Sequence, residues 1–366
     1  MEHIIANIQS IVVFIIVLSI LVIVHEWGHF ITAKKLGVKV DRFALGFGPK
    51  LCSIIHDGTE FLICAVPLGG YVKMAGDERT ECKGSPDEFY SKSPGHRALI
   101  VLNGPVVNFI LAYFCLTLVF MLGFPDLGTK VGELVKDYPA QQAGLMVDDK
   151  ILEINAQKVA SWTDIQQSIV ESQTNTIVLK IERNGEVIEK TIVPKVDERK
   201  NIFGQLKMTR MIGIVPKEEI ISLKYGFFES FVKGGEKLVE ITVMTYKAIY
   251  FMLTGTMSAK DSVTGPVGIF LIIKKAAEMG FPDLVFVVGV ISASLAIFNL
   301  MPVIPLDGGH LFLLGIERIR GKALPAKIDD YIAKVGFSLI ILLALYVFYS
   351  DFARLGWIDK IKGLFS

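Results

Sequence analysis

Apolar positions along the chain gather into three long runs, 8–33, 98–122 and 284–303, and a shorter one at 335–350. The first three fit the roughly 17–25 residues a helix needs to cross a bilayer, and the fourth sits at the short end of that range. Between the runs the periodicity changes. Residues 40–75 read as short strands, FALGFGPKL, CSIIHDG and TEFLICAVPLGGYVKM, with a bend at Gly46, Gly48 and Pro49 and a hairpin turn at Asp57-Gly58. Residues 128–215 alternate with period two in TIVLKIERN and EVIEKTIVP, around a short helical pattern, SWTDIQQSIVES, which predicts a compact α+β module. Residues 221–260 are apolar but carry Glu229, Lys233, Glu236, Lys237, Glu240 and Lys247, a pattern for interfacial or packed helices rather than a span.

The predicted fold is a polytopic α-helical membrane protein with four transmembrane helices, a β-sheet segment and an inserted α+β domain. The expected order is a first span in 1–33, a sheet segment over 34–97, a second span at 98–122 and the α+β domain over 123–220. Amphipathic helices follow over 221–283, then a third span at 284–310, a loop at 311–334, a fourth span at 335–350 and a tail at 351–366. The first run carries Glu2 and His3 where a signal peptide has a positive region, and no small-residue cleavage site follows, so it reads as a span.

Charge orients these spans. No Lys or Arg precedes Lys34, whereas Lys34, Lys35, Lys39, Arg42 and Lys50 follow the first run, which puts the N-terminus outside and 34–97 in the cytoplasm. The α+β domain then faces outward, and Arg318, Arg320, Lys322 and Lys327 fit a cytoplasmic loop. The tail, with Arg354, Lys360 and Lys362, fits an outer location less well.

Composition agrees with a bilayer partner: of 366 residues, 52% are hydrophobic, and the mean hydropathy is +0.50. A net charge of +1 without a long basic run argues against nucleic acid as a partner. Cys52, Cys64, Cys82 and Cys115 form no CxxC pair, so neither a disulfide framework nor a thiolate metal site is expected.

The chemistry lies inside the first run, in SILVIVHEWGHFITA. Titratable groups inside a span are costly and mark function. The pattern is HExxH: on a helix, His25 and His29 share a face and can present two imidazoles to one metal, with Glu26 beside them at the reacting position. A catalytic zinc takes three protein ligands and keeps one position open, so a third ligand must come from elsewhere. In FNLMPVIPLDGGHLF, Pro302 and Pro305 break the third run and Gly308-Gly309 permit a tight turn, which presents Asp307 or, three residues on, His310. Depth favours four spans. The first helix reaches His25 on the order of 13 Å before its inner end, and an inward-running third span delivers Asp307 to the same side.

HEWGH in the first span, GFGPKL and PLGGYVKM in the sheet, NGPVVNF in the second span and NLMPVIPLDGGH near the third resemble the site-2 protease family of intramembrane zinc metalloproteases, nearest to the bacterial regulators of sigma factors. The resemblance covers nearly the whole chain. It implies one Zn²⁺ per chain held by His25, His29 and Asp307, with Glu26 as general base and Asn299 holding substrate near the metal. The 40–75 sheet becomes a partly membrane-embedded docking hairpin, with Gly46, Phe47 and Gly48 among the substrate-binding residues. The implied substrates are single-pass transmembrane proteins, and the implied location is the bacterial inner membrane with the site near the cytoplasmic face. From VGELVKDYPAQQAGLMVDDKILEINAQKV onward the inserted domain resembles a PDZ domain, which would bind a peptide C-terminus or only exclude bulky proteins. It departs from that pattern at Asp148 and Ala156, where PDZ turns usually carry glycine. The rival reading is a non-catalytic zinc-dependent scaffold or transporter with a PDZ sensor. Transport would call for acidic or histidine ligands along several spans, and the second and fourth runs contain none.

Overall fold

The computed structural model describes residues 2–258, 263–322 and 325–354. The expected tail therefore lies outside the described residues from 355 on. Among the described residues, four helices are long and apolar enough to cross a membrane: Ile8–Lys35, Pro94–Leu122, Phe281–Asn299 and Lys327–Arg354. The chain divides into two compact units, Met1–Leu118 with Val232–Lys247 and Ala259–Ser366, and Val119–Phe231 with Ala248–Ser258.

In the first unit, α1 (Glu2–Lys35) is a continuous helix. It stops where Gly37 adopts a left-handed conformation and the Val38 amide reaches back to the Ala33 carbonyl at 2.8 Å, the usual glycine-closed helix end. Ile11, Val12, Ile16 and Ile20 stay on its surface, as a lipid-facing stripe requires. The strands β1 (Val40–His56) and β2 (Thr59–Met74) form the expected hairpin through Asp57-Gly58, both with positive φ. The pieces expected as separate short strands are two long ones, because the bends at Gly46, Gly48 and Gly69 turn each strand without ending it. The front half of β1 consequently pairs on both sides, Phe43 with Phe61 and also with Val72. The stretch 70–74 becomes an edge whose far side has no strand among the described residues. Trp27, Phe30, Phe43 and Phe61 form an aromatic cluster that seats this sheet on α1.

Helix α2 (Pro94–Leu122) crosses α1 closely: a Cβ on Gly28 would lie 2.4 Å from the Asn103 carbonyl oxygen. Asn103 seals the crossing by donating to the Gly28 carbonyl at 3.1 Å and the Thr32 hydroxyl at 2.6 Å.

The second unit holds the inserted domain. Here β3 (Phe124–Leu127) and β4 (Val131–Leu134) precede the one-turn helix α3 (Pro139–Gln142), β5 (Lys150–Ile154) and β6 (Gln157–Lys158). Then come α4 (Trp162–Glu171), β7 (Ile177–Arg183), β8 (Glu186–Ile192), β9 (Lys195–Lys200), β10 (Leu206–Met211), β11 (Ile214–Pro216) and β12 (Ile220–Leu223). An antiparallel sheet in the order β6-β5-β7-β8 and helix α4 close over Ile151, Ile154, Ile165, Ile177, Leu179 and Ile181. The alternation in TIVLKIERN supplies the inward Ile177, Leu179 and Ile181, and Ser161 and Asp164 form a capping box that starts α4. Asp148, Asn155 and Ala156 all have positive φ, so the two expected glycine positions keep their glycine-like turns without glycine.

The amphipathic stretch forms α5 (Phe227–Leu253) and α6 (Pro266–Met279). The third apolar run is α7 (Phe281–Asn299), followed by α8 (Asp307–Arg320) and α9 (Ala326–Arg354). Two expectations are corrected here. The span drawn through 284–310 ends at Asn299 because Pro302 and Pro305 cannot continue it, and Asp307 opens a new helix. The loop expected at 311–334 is largely α8 and the start of α9.

Candidate active site

Three side chains from two distant parts of the chain meet at one point. His25 and His29, one turn apart on α1, bring their Nε2 atoms within 3.2 Å of each other. Asp307 Oδ2 lies 3.1 Å from His25 Nε2 and 3.6 Å from His29 Nε2. These ligand atoms all fall within 4.8 Å, the spacing of a set that can hold one metal ion. His310 lines the same cavity as His29 and Asp307 but is not in this set. The other metal-capable group among the described residues, Asp77, Glu78 and Glu81, lies between β2 and α2 rather than in a span.

The chain builds this point from α2 and from the break after α7. His29 Nδ1 donates to the Ile100 carbonyl at 2.9 Å, so that in the neutral ring it is Nε2, facing the cluster, that carries the lone pair. A Cβ at Gly104 would stand 2.3 Å from His29 Nε2 and 3.0 Å from His25 Cε1, so the absence of a side chain there keeps room beside both rings. Asp307 is delivered by a tight return: a Cβ on Gly308 would lie 2.3 Å from the Leu300 carbonyl, and one on Gly309 would lie 2.6 Å from the Ile304 nitrogen. Asp307 Oδ2 is buried and makes no hydrogen bond. A zinc ion fits this donor set: two imidazole nitrogens, a carboxylate oxygen without a hydrogen-bond partner, and space kept open by Gly104.

Glu26 follows His25 on the same helix and lies close enough to His25, His29 and Asp307 to interact with their charges. The Val72 backbone runs close to its carboxylate, and Gly70 sits on it, with an added Cβ 3.5 Å from Glu26 Cγ. The edge stretch 70–74 thus runs past the base. A cavity of about 430 Å³ is lined by His29 and Asp307 and also by Lys73, Asp77 and Glu78. Asn299 is the last residue of α7, eight residues before Asp307, and Gly46, Phe47 and Gly48 form the bend of β1. All four lie outside the metal cluster. Phe47 stacks on Tyr71 at 6.2 Å, and Tyr71 lines the same cavity as His29. Ile100, Gly104 and Asn108 are not among the site residues expected from sequence; for Gly104 and Asn108 the available signal is NGPVVNF, with two asparagines inside an apolar run, whereas Ile100 acts through its backbone and leaves none.

Two histidines on a membrane-type helix that meet an aspartate from the return after α7, with a glutamate beside them, form the donor set and base of a zinc metalloprotease. The chain belongs to peptidase family M50, whose profile matches residues 13–343. A Clostridium acetobutylicum protein that bears a zinc metalloprotease name is 36% identical over 93% of this chain and 97% of its own. Zinc metalloprotease RasP of Oceanobacillus iheyensis is 29% identical over 94% of this chain and 99% of its own, and regulator of sigma E protease of Haemophilus influenzae is 28% identical over 93% and 98%. The solved PDZ domain of an SdrC-like protein from Listeria innocua is 26% identical, with a TM-score of 0.20, over 25% of this chain and 96% of that domain.

Proposed function

We propose that this metalloprotease cleaves single-pass transmembrane proteins in the bacterial inner membrane, after a first cut has removed their outer part, and that it acts in regulated intramembrane proteolysis. Anti-sigma factors and signal-peptide remnants are the substrate classes that suit it. The observation that carries the reading is the meeting of His25, His29, Asp307 and Glu26 beside an open strand edge.

His25 and His29 through Nε2, and Asp307 through Oδ2, would hold the zinc. When bound, zinc supplies the Lewis acidity that polarises a peptide carbonyl and makes water acidic enough to be deprotonated near neutral pH. Glu26 takes a proton from the attacking water onto its carboxylate and gives it to the departing amine nitrogen. Water reaches the site through the cavity bounded by Lys73, Asp77 and Glu78. A transmembrane substrate hides its amides in its own helix, so it must be extended before it is cut. The 70–74 edge offers it backbone partners, as in strand addition, and Asn299 offers a donor and an acceptor. The charge pattern supports a cytoplasmic site and an extracytoplasmic inserted domain, which as a PDZ domain would bind a peptide C-terminus or screen out bulky proteins.

The test compares membrane-protein fragments in cells carrying the wild type or Glu26→Gln. Fragments that depend on Glu26 identify the substrates, and the purified variant should keep its zinc. Asp307→Ala should lose both zinc and cleavage, while His310→Ala keeps most of its zinc. An active Glu26→Gln enzyme would refute the mechanism.

A further inference from the structure

We propose that Asn108 is a positioning residue for His25: its side-chain carbonyl accepts the Nδ1–H of the imidazole, so that Nε2 presents its lone pair to the metal. This rests on the reading of His25, His29 and Asp307 as the ligands.

The two histidines face the same requirement. His29 meets it by donating Nδ1–H to the Ile100 carbonyl. His25 Nε2 stands 3.2 Å from His29 Nε2 and 3.1 Å from Asp307 Oδ2, so an ion at this point needs the proton of His25 on Nδ1. The side chain that reaches Nδ1 is Asn108, whose Nδ2 lies 3.4 Å away. In that orientation the amide donates to Nδ1 and forces the His25 proton onto Nε2, into the ligand cluster. A half-turn of the amide exchanges oxygen and nitrogen without changing the shape of the side chain. The oxygen then accepts Nδ1–H, and His25 matches His29. Only one end of the amide meets His25 in either orientation, since Oδ1 as placed has no partner. The requirement of the imidazole therefore decides between the two.

Placement supports the role. Asn108 is fully buried. It lies four residues, about one turn, after Gly104, on the α2 face that closes over both rings. Its backbone carbonyl accepts a 2.8 Å hydrogen bond from the buried Ser292 hydroxyl of α7, so a second span fixes where the amide stands.

Zinc affinity of the detergent-solubilised full chain, measured by competition with a chromophoric chelator, tests this without recourse to activity. The variants are Asn108→Leu, which keeps the volume without an acceptor, Asn108→Asp, which keeps an acceptor, and His25→Ala. Asn108→Leu should bind zinc roughly 10–100-fold more weakly, and Asn108→Asp should stay within about threefold of the wild type, because a carboxylate orients a liganding histidine equally well. Wild-type affinity in Asn108→Leu overturns the proposal. Equal weakening of both variants in folded protein overturns it too and assigns Asn108 to packing between α2 and α7. If Asn108→Leu does not fold, Asn108→Asp decides: a folded protein as weak as His25→Ala sinks the idea. Unaltered zinc binding by His25→Ala would instead overturn the ligand assignment beneath it.

Discussion

A single missing carbon at Gly104 keeps the ring nitrogens of the metal centre within reach, since a Cβ there would stand 2.3 Å from His29 Nε2. Gly104→Ala should therefore lower zinc affinity roughly tenfold or more, the equivalent of about 1–3 kcal/mol of overpacking, while α2 itself tolerates alanine well. Chelator competition measures it, and unchanged affinity would mean that α2 moves aside at little cost. Ala156 poses the opposite case, a Cβ where the backbone has φ +63°. The left-handed conformation costs alanine about 1–2 kcal/mol, partly offset by the extra chain entropy that glycine loses on folding. Ala156→Gly should raise the stability of the inserted domain by about 0.5–1 kcal/mol, read as a higher melting temperature. At this scale the HExxH residues were legible because helical spacing alone puts them on one face. Ile100, Gly104 and Asn108 were not, because they act through a backbone carbonyl, an absent side chain and a contact 83 residues away in sequence.

The third apolar run shows what the sequence reveals of an element and what it hides. Its break was visible in Pro302 and Pro305, and the helix ends at Asn299. That Asp307 starts a new helix was not visible, because two glycines in its first turn argue against helix and their value lies in the close return to residues 300–304. The hairpin turn at Asp57-Gly58 could be read from its residues, but the double pairing of the front half of β1 could not, since it depends on bends at Gly46, Gly48 and Gly69. Asn299 sits where the helix gives out, with an amide able to pair with an extended backbone. Asn299→Ala should leave zinc content and folding intact and should slow cleavage of stable transmembrane helices. Substrates with Gly or Pro near the cut, easier to unwind, should suffer less. An equal loss for both kinds would count against a substrate-extending role, and loss of zinc would move Asn299 to the support of the metal.

At the scale of the whole molecule, two units share one chain, and each has its own source of stability. In the inserted domain, burial works to raise the Asp149 carboxyl, but the Arg183 guanidinium at 2.7 Å and the Met146 amide at 2.8 Å hold it below its usual range. A depressed carboxyl stabilises fully above its unfolded value near 3.9, and that contribution fades as the pH falls further. Thermal melts from pH 7 to 3 should thus show this domain weakening below about pH 4, a loss absent in Asp149→Asn, which is less stable throughout. The chain enters and leaves the domain through paired strands, Leu127 opposite Ile220 at the ends of β3 and β12. Removing 128–219 and joining these ends with a short turn therefore leaves the entry ladder able to close. No proposed metal ligand or base lies in the removed segment, so zinc binding and cleavage of a short transmembrane peptide should persist. What should change is admission: full-length substrates that the intact enzyme refuses should now be cut. Fragment profiles of cells carrying the shortened and intact enzymes decide it, and identical profiles would show that the inserted domain takes no part in choosing substrates.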